Sequence, residues 1–105
     1  VLVLEGDRRK ELSTAALSRP WVEDAGADII FAAVYVRLTD KYGGRGIQYV
    51  DMEAGHAAEN VSLQASALHL GTVVVGAFYE DEVRKVVGKM TREQPLCIMP
   101  VGQPK

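Results

Sequence analysis

The chain has 105 residues, which suits a single domain over residues 1–105. Apolar residues make up 48% and charged residues 25%, which excludes a disordered linker or a fibre. A net charge of −2 supplies no basic field for nucleic acid or an anionic membrane, and the single cysteine, Cys97, excludes an internal disulfide and points to a reduced, cytoplasmic setting.

In chain order, Val1-Leu2-Val3-Leu4 is a short apolar run closed by Gly6-Asp7. It has no basic n-region, so it reads as a strand end or hairpin arm and not as a signal peptide. Residues 8–18 place Leu12, Ala15, Ala16 and Leu17 at helical spacing, and Pro20 ends or restarts that helix before Trp21-Val22. Residues 27–38 are almost continuously apolar, as in a central strand covered on both faces. Their longest uncharged stretch lies within residues 29–36, short of the roughly 20 residues a membrane-spanning helix needs. Residues 39–46 hold Gly43, Gly44 and Gly46, the mark of a loop with special backbone angles.

Residues 51–70 form the clearest helical pattern. Val50, Ala54, Ala57, Val61, Ala65 and Leu68 recur at three- and four-residue steps, with Asp51 as N-cap and Gly71 as the stop. A second apolar set (Met52, Leu63, Leu70) predicts a helix buried on more than one side. Residues 72–78 read as an interior strand. Residues 80–87 read as a short helix with Val83, Val86 and Val87 inward and Gly88 as its stop. Residues 96–101 form a last strand, where Pro100 favours a sheet edge or a chain end. The order β-α-β-α-β-α-β belongs to the α/β or α+β class.

Metal chemistry has no support in the spacing. His56 and His69 stand thirteen residues apart, with no HExxH or Cys/His pattern, and read as structural or solvent-facing. Cys97 reads as a buried small hydrophobe. Gly43-Gly44-Arg45-Gly46 does not match a dinucleotide fingerprint. Two places are left. In Val73-Val74-Val75-Gly76-Ala77-Phe78, the small residues allow backbone N–H groups to approach a ring system; a plain strand-to-helix turn is the competing reading. Lys41-Tyr42, with Arg45 and Tyr49, offers two proton-transfer groups and a phosphate partner; a solvated polar loop is the competing reading.

The stretches Arg45-Gly46-Ile47-Gln48-Tyr49, Glu53-Ala54-Gly55-His56-Ala57-Ala58-Glu59-Asn60-Val61 and Leu68-His69-Leu70-Gly71-Thr72-Val73-Val74-Val75-Gly76-Ala77-Phe78 resemble the nitroreductase-like FMN family. More narrowly they resemble its SagB-type dehydrogenase branch, and the closing Glu93-Gln94-Pro95-Leu96 and Pro100-Val101-Gly102-Gln103-Pro104-Lys105 continue the likeness. The resemblance implies an α+β, nitroreductase-like fold with a mixed sheet flanked by helices, and an obligate homodimer with one FMN at each of two interface sites. It places the Val75-Gly76-Ala77 backbone near the flavin N5 edge and Lys105 near the FMN phosphate. In the SagB-type branch a Lys-Tyr pair is associated with proton abstraction from azoline rings in peptides, and Lys41-Tyr42 resembles that pair.

The implied function is an FMN-dependent oxidoreductase on a small-molecule or peptide substrate, with NAD(P)H as reductant where the reaction is a reduction. Family domains run to roughly twice this length, so the chain reads as a truncated domain, the C-terminal half. The family's N-terminal arginine-rich segment has no counterpart, and Tyr79 stands where the family often has Asp. Two other readings stay open: a cofactor-free oligomerisation or interaction module, and a small regulatory ligand-binding domain.

Overall fold

In a computed structural model, which describes residues 2–104, three apolar segments pair into one small sheet of order β1-β3-β2. The strands are β1 (Ala27–Ala33), β2 (Gly71–Thr72) and β3 (Gln94–Gly102). Five helices surround them: α1 (Arg9–Ala15), α2 (Pro20–Glu23), α3 (Val36–Tyr42), α4 (Arg45–Ala67) and α5 (Glu80–Val87). Val1 and Lys105 lie outside the described residues, and with them the start of the N-terminal run and the lysine expected at a phosphate. Residues 2–4 form no strand. The fold is α+β, but both ladders within it are antiparallel, where a mixed sheet was expected.

The last strand occupies the middle of the sheet, not its edge. Proline is tolerated there because of side and register. Ile98 exchanges both backbone hydrogen bonds with Val75, at 2.8 and 3.0 Å. Pro100, two residues on, therefore turns its donor-less nitrogen to the same side. The pairs Gly71–Gly102, Thr72–Val101 and Val75–Ile98 share one continuous register, and it is interrupted opposite Pro100. Hence residues 72–78 do not form the expected interior strand. The ladder stops at Thr72, Val73 and Val74 face solvent, and pairing resumes for Val75 alone. Pro95 is accommodated by a bulge, where Phe31 pairs with Cys97 but Ala32 with Pro95.

Side-chain alternation along β3 builds two small cores. Ile98 packs with Leu12, Ala15, Ala16, Val22, Val75 and Val83 beneath α1, α2 and α5. Cys97 and Met99 face the other way, against Ala58, with Phe31 and Val61 around them. Cys97 is thus the buried hydrophobe the sequence suggests, and burial raises its thiol pKa. β1 is an edge strand rather than a central one. It ends at Ala33, and Val36 opens α3 in place of continued strand.

Helix α4 begins six residues before the expected N-cap. Asp51 lies inside it, and the supposed glycine loop shrinks to Gly43-Gly44. Gly46 is part of the helix because α3 presses on it: a Cβ there would stand 2.7 Å from the carbonyl carbon of Leu38 and 2.8 Å from the Thr39 nitrogen. The helix ends through His69 rather than Gly71. His69 takes φ 58°, its N–H donates to Ser66 O, and the Leu70 N–H reaches back to Ala65 O at 2.8 Å. Only Gly46, Val50, Ala58 and Ala65 of α4 are buried, whereas Met52 is 51% and Leu63 60% exposed. All-round burial is therefore not reached within the chain: the sheet covers one side of α4, and no described element covers the other. Helix α5 matches expectation, with Val83 and Val87 buried and Gly88 at φ 74° as its stop.

Asp28 is the one carboxylate placed among core groups of β1. Alternation puts it on the Ile30 side, and neither carboxylate oxygen has a hydrogen-bond partner although both are buried. Arg9 is near, but its guanidinium is engaged by Asp7 at 2.8 and 2.9 Å and by the Ala25 carbonyl. Burial pushes the Asp28 pKa up to about 6, against the pull of Arg9.

Three outcomes follow for stability. A pKa raised on folding makes the Asp28 contribution complete below the ordinary Asp range and lost as pH rises through about 6. Asp28→Asn should flatten that part of the stability–pH curve and stabilise the fold at pH 7 by about 1 kcal/mol, after allowance for solvent screening, as read by denaturant titration. His69→Gly should raise stability by about 1 kcal/mol by relieving left-handed strain. Gly46→Ala should lower it by about 2 kcal/mol through the clash with α3.

Candidate functional site

Four of the residues singled out in the sequence meet at the corner between α3 and α4. Gly43, at φ 64°, turns the chain after α3, and its N–H donates to Thr39 O at 2.8 Å. Just before that turn, in the last residues of α3, Lys41 Nζ lies 5.2 Å from the centre of the Tyr42 ring. Tyr42 in turn meets Tyr49 edge-on, with ring centres 5.2 Å apart and planes at 84°. Arg45 opens α4 on the same corner. All four side chains are exposed, and they lie on helices where a loop was expected.

The second place is built differently. Val75 is buried and fixed to Ile98 by two backbone bonds, and four residues later the Tyr79 N–H donates to Ala15 O at 2.9 Å. Phe78 packs against the core between these anchors. Gly76 and Ala77 form the exposed bridge. A Cβ on Gly76 would find nothing within 4 Å, so the space beside this backbone is open. Among the described residues, no group accepts a hydrogen bond from the Gly76 or Ala77 amide. The structure thus offers two adjacent backbone donors on an anchored segment, which is what an electron-rich heterocycle edge requires.

The next turn is unsuited to an anion. Tyr79, Glu80, Asp81 and Glu82 surround an open cavity of about 560 Å³ at the start of α5, and its three carboxylates oppose a phosphate. Tyr79 caps α5 without a side-chain hydrogen bond. A second cleft, of about 380 Å³, lies between Trp21 of α2 and the Thr72, Pro100 and Gln103 region of the sheet. Pro104 borders Gly71 here, so the chain reaches residue 104 beside the C-terminal end of α4.

These positions do not form one cluster. Ala58 of α4 packs against Cys97 and Met99, at the level of the Val75–Ile98 bridge. Arg45 is thirteen residues earlier on the same helix, about 20 Å along its axis. The structure therefore brings Lys41, Tyr42, Arg45 and Tyr49 together, brings Val75, Gly76 and Ala77 together, and keeps the two groups apart.

Between them lies a pair that sequence patterning did not reveal. The Tyr35 hydroxyl donates to Asp51 Oδ1 at 2.5 Å, joining the start of α3 to the second turn of α4. Burial raises the Tyr35 pKa to about 12, helped by the bond to Asp51 and by the charges of Asp51 and Glu80. No local spacing rule relates residues sixteen apart in two different helices. The only sequence signal was a tyrosine inside an apolar run.

Among the described residues, no group of three or more His, Cys, Asp and Glu side chains is placed to hold a metal, and no helix is long and apolar enough to cross a membrane.

Residues 2–103 match the family described as the nitroreductase family. Over 103 residues the chain is 47% identical to a Methanocaldococcus jannaschii protein assigned as a nitroreductase, covering 98% of this chain and 51% of that one. The chain thus spans about half the length of this curated relative. An Anabaena variabilis crystal structure, also assigned as a nitroreductase, superposes with a TM-score of 0.88 at 31% identity over 95% of this chain and 20% of its own. The Bacillus subtilis nitroreductase NfrA1 gives 0.81 at 27% identity, over 97% of this chain and 47% of its own. An NADPH:FMN oxidoreductase from Vibrio harveyi, solved with NAD+, shares the fold at 0.80 and 23% identity, over 98% of this chain and 48% of its own. With a family match that takes in nearly every described residue and a fold shared with solved nitroreductases, this chain belongs to the nitroreductase family.

Proposed function

We infer that the chain is part of an FMN-dependent oxidoreductase of nitroreductase type. The observation that carries this reading is the exposed Gly76-Ala77 backbone, with free amides beside open space on a segment anchored by Val75. Family membership and the cofactor named for the Vibrio harveyi fold neighbour support it. When bound, FMN supplies the redox chemistry, with NAD(P)H as reductant where a small molecule is reduced. The protein's part is to position and to stabilise charge. The Gly76 and Ala77 amides would face the flavin edge, where fixed donors favour negative charge on the ring. Any bulkier residue at position 77 would intrude on that approach.

Arg45 and Lys105 would serve phosphate, and Lys41 with Tyr42 would handle a proton. In the SagB-type version of the reading, Lys41 Nζ or Tyr42 Oη accepts a proton from an azoline ring of a peptide substrate. Because α4 holds Arg45 away from Gly76, one copy does not present both to a single cofactor. A homodimer answers this, since a second copy brings a second set of both groups. The exposed Met52 and Leu63 on α4, with Leu68 just after it, support such an assembly. The same exposed side chains also favour the second reading, a cofactor-free interaction module.

The deciding measurement is gel filtration of the purified chain after incubation with FMN, read by visible absorbance and native mass. Flavin absorbance co-eluting with a dimer is the expected outcome. A dimer that takes up no FMN supports the interaction module, and a monomer without FMN removes both readings. Ala77→Leu should weaken FMN retention about tenfold, equivalent to about 1.4 kcal/mol. Lys41→Ala should leave FMN content unchanged and lower turnover about 100-fold.

A further inference from the structure

Helix α3 carries the Lys41-Tyr42 pair, yet the chain gives it little to hold on to. It has seven residues and buries none of its side chains. A helix of that length is not stable in water without tertiary support. The structure provides three supports, all from α4. One is the backbone approach of Leu38 and Thr39 to Gly46. Another is the edge-on contact of Tyr42 with Tyr49, at the far end of α3. The third is the Tyr35–Asp51 hydrogen bond, the one side-chain hydrogen bond among the described residues that ties the start of α3 to α4.

Its place matters as much as its existence. Asp51 is six residues beyond Arg45 and seven before Ala58 on α4, so about 10 Å of helix separates it from either. Tyr35 also feels the charge of Glu80, which begins α5 three residues after Ala77. The bond therefore sits between the corner that holds Lys41-Tyr42 and the segment that holds Gly76-Ala77. The phenol remains protonated through neutral pH, with its proton directed at Asp51, so it acts as a fixed donor and not as a base.

We propose that Tyr35, through its hydrogen bond to Asp51, is a positioning residue that sets the Lys41-Tyr42 end of α3 relative to the Gly76-Ala77 edge. This rests on the functional reading above for what Lys41 and Tyr42 do, but not for what holds them.

The test uses the full chain with added FMN and follows NADPH oxidation with a nitroaromatic acceptor. Tyr35→Phe keeps the ring and deletes the hydroxyl. It should leave FMN content and KM unchanged and lower kcat about tenfold or more, as small misplacements do. Asp51→Asn retains an acceptor oxygen and should fall between wild type and Asp51→Leu, and Tyr35→Phe combined with Asp51→Leu should be no worse than either alone. An unchanged kcat in Tyr35→Phe, or FMN loss in step with kcat, overturns the proposal.

Hydrogen exchange provides a readout that needs no activity. Tyr35→Phe should speed amide exchange at residues 39–43 about tenfold while α5 and β3 stay unchanged. If the wild-type chain binds no FMN and turns nothing over, the functional reading fails on its own, and exchange still decides the clamp: acceleration confined to α3 upholds it, and no change removes it.

Discussion

Ile98 and Met99 lie back to back at the centre of β3, both fully buried, and α1, α2, α4 and α5 are arranged by which of the two they cover. Successive side chains on a strand point to opposite faces, so one short apolar sequence can nucleate two cores. Ile98 gathers α1, α2 and α5, while Met99 and Cys97 gather α4. β1 and the Val75 bridge then close the two sides of β3 with hydrogen bonds. The fold is thus a strand with something on every side of it, which is why a sheet of only three strands holds four of the five described helices in place.

The same arrangement distributes rigidity unevenly. Val75 is tied to the central strand and Tyr79 to α1, so the Gly76-Ala77 bridge is held at both ends. Helix α3 has no comparable anchorage in the core. It is placed against α4 by a close backbone contact at Gly46, by the Tyr42–Tyr49 ring contact and by one hydrogen bond between side chains. Groups that must stay still and groups that sit on a lightly held element are therefore separated along α4. This division would suit the proposed cofactor edge on one side and the proposed proton-handling pair on the other.

What the sequence made legible was whatever depends on local spacing. Val83 and Val87 at a four-residue step and the glycine after them define α5 without outside help. The burial of Cys97, and of Leu12, Ala15 and Ala16 in the α1 pattern, is of the same kind, although α1 stops at Ala15 and Leu17, expected inside a helix over 8–18, turns left-handed and exposed. The residues misread are those whose state depends on a distant partner. Residues 27–38 continue one apolar run, and nothing in Val34-Tyr35-Val36 announces that Tyr35 will reach Asp51 and let a helix begin. Asp51 has the chemistry of an N-cap, but the apolar spacing extends back through Val50 and Ile47, and Gly46 fits a neighbouring helix that sequence alone does not display. For the candidate site the small residues Gly76 and Ala77 were readable. The separation of Arg45 from them was not, because it follows from two additional turns at the start of α4.

Pro100 shows how one missing hydrogen shapes a surface. A residue with an N–H at that position would let the second ladder run unbroken from Gly71 to Val75, drawing the intervening valines flat against the sheet. Proline withholds that rung, and pairing lapses at Val73 and Val74 before it resumes at Val75. The segment that emerges beyond that point is the one whose amides remain unclaimed. A ring in the middle of the most buried strand thus sets where, on the outside of the molecule, polar main chain becomes available.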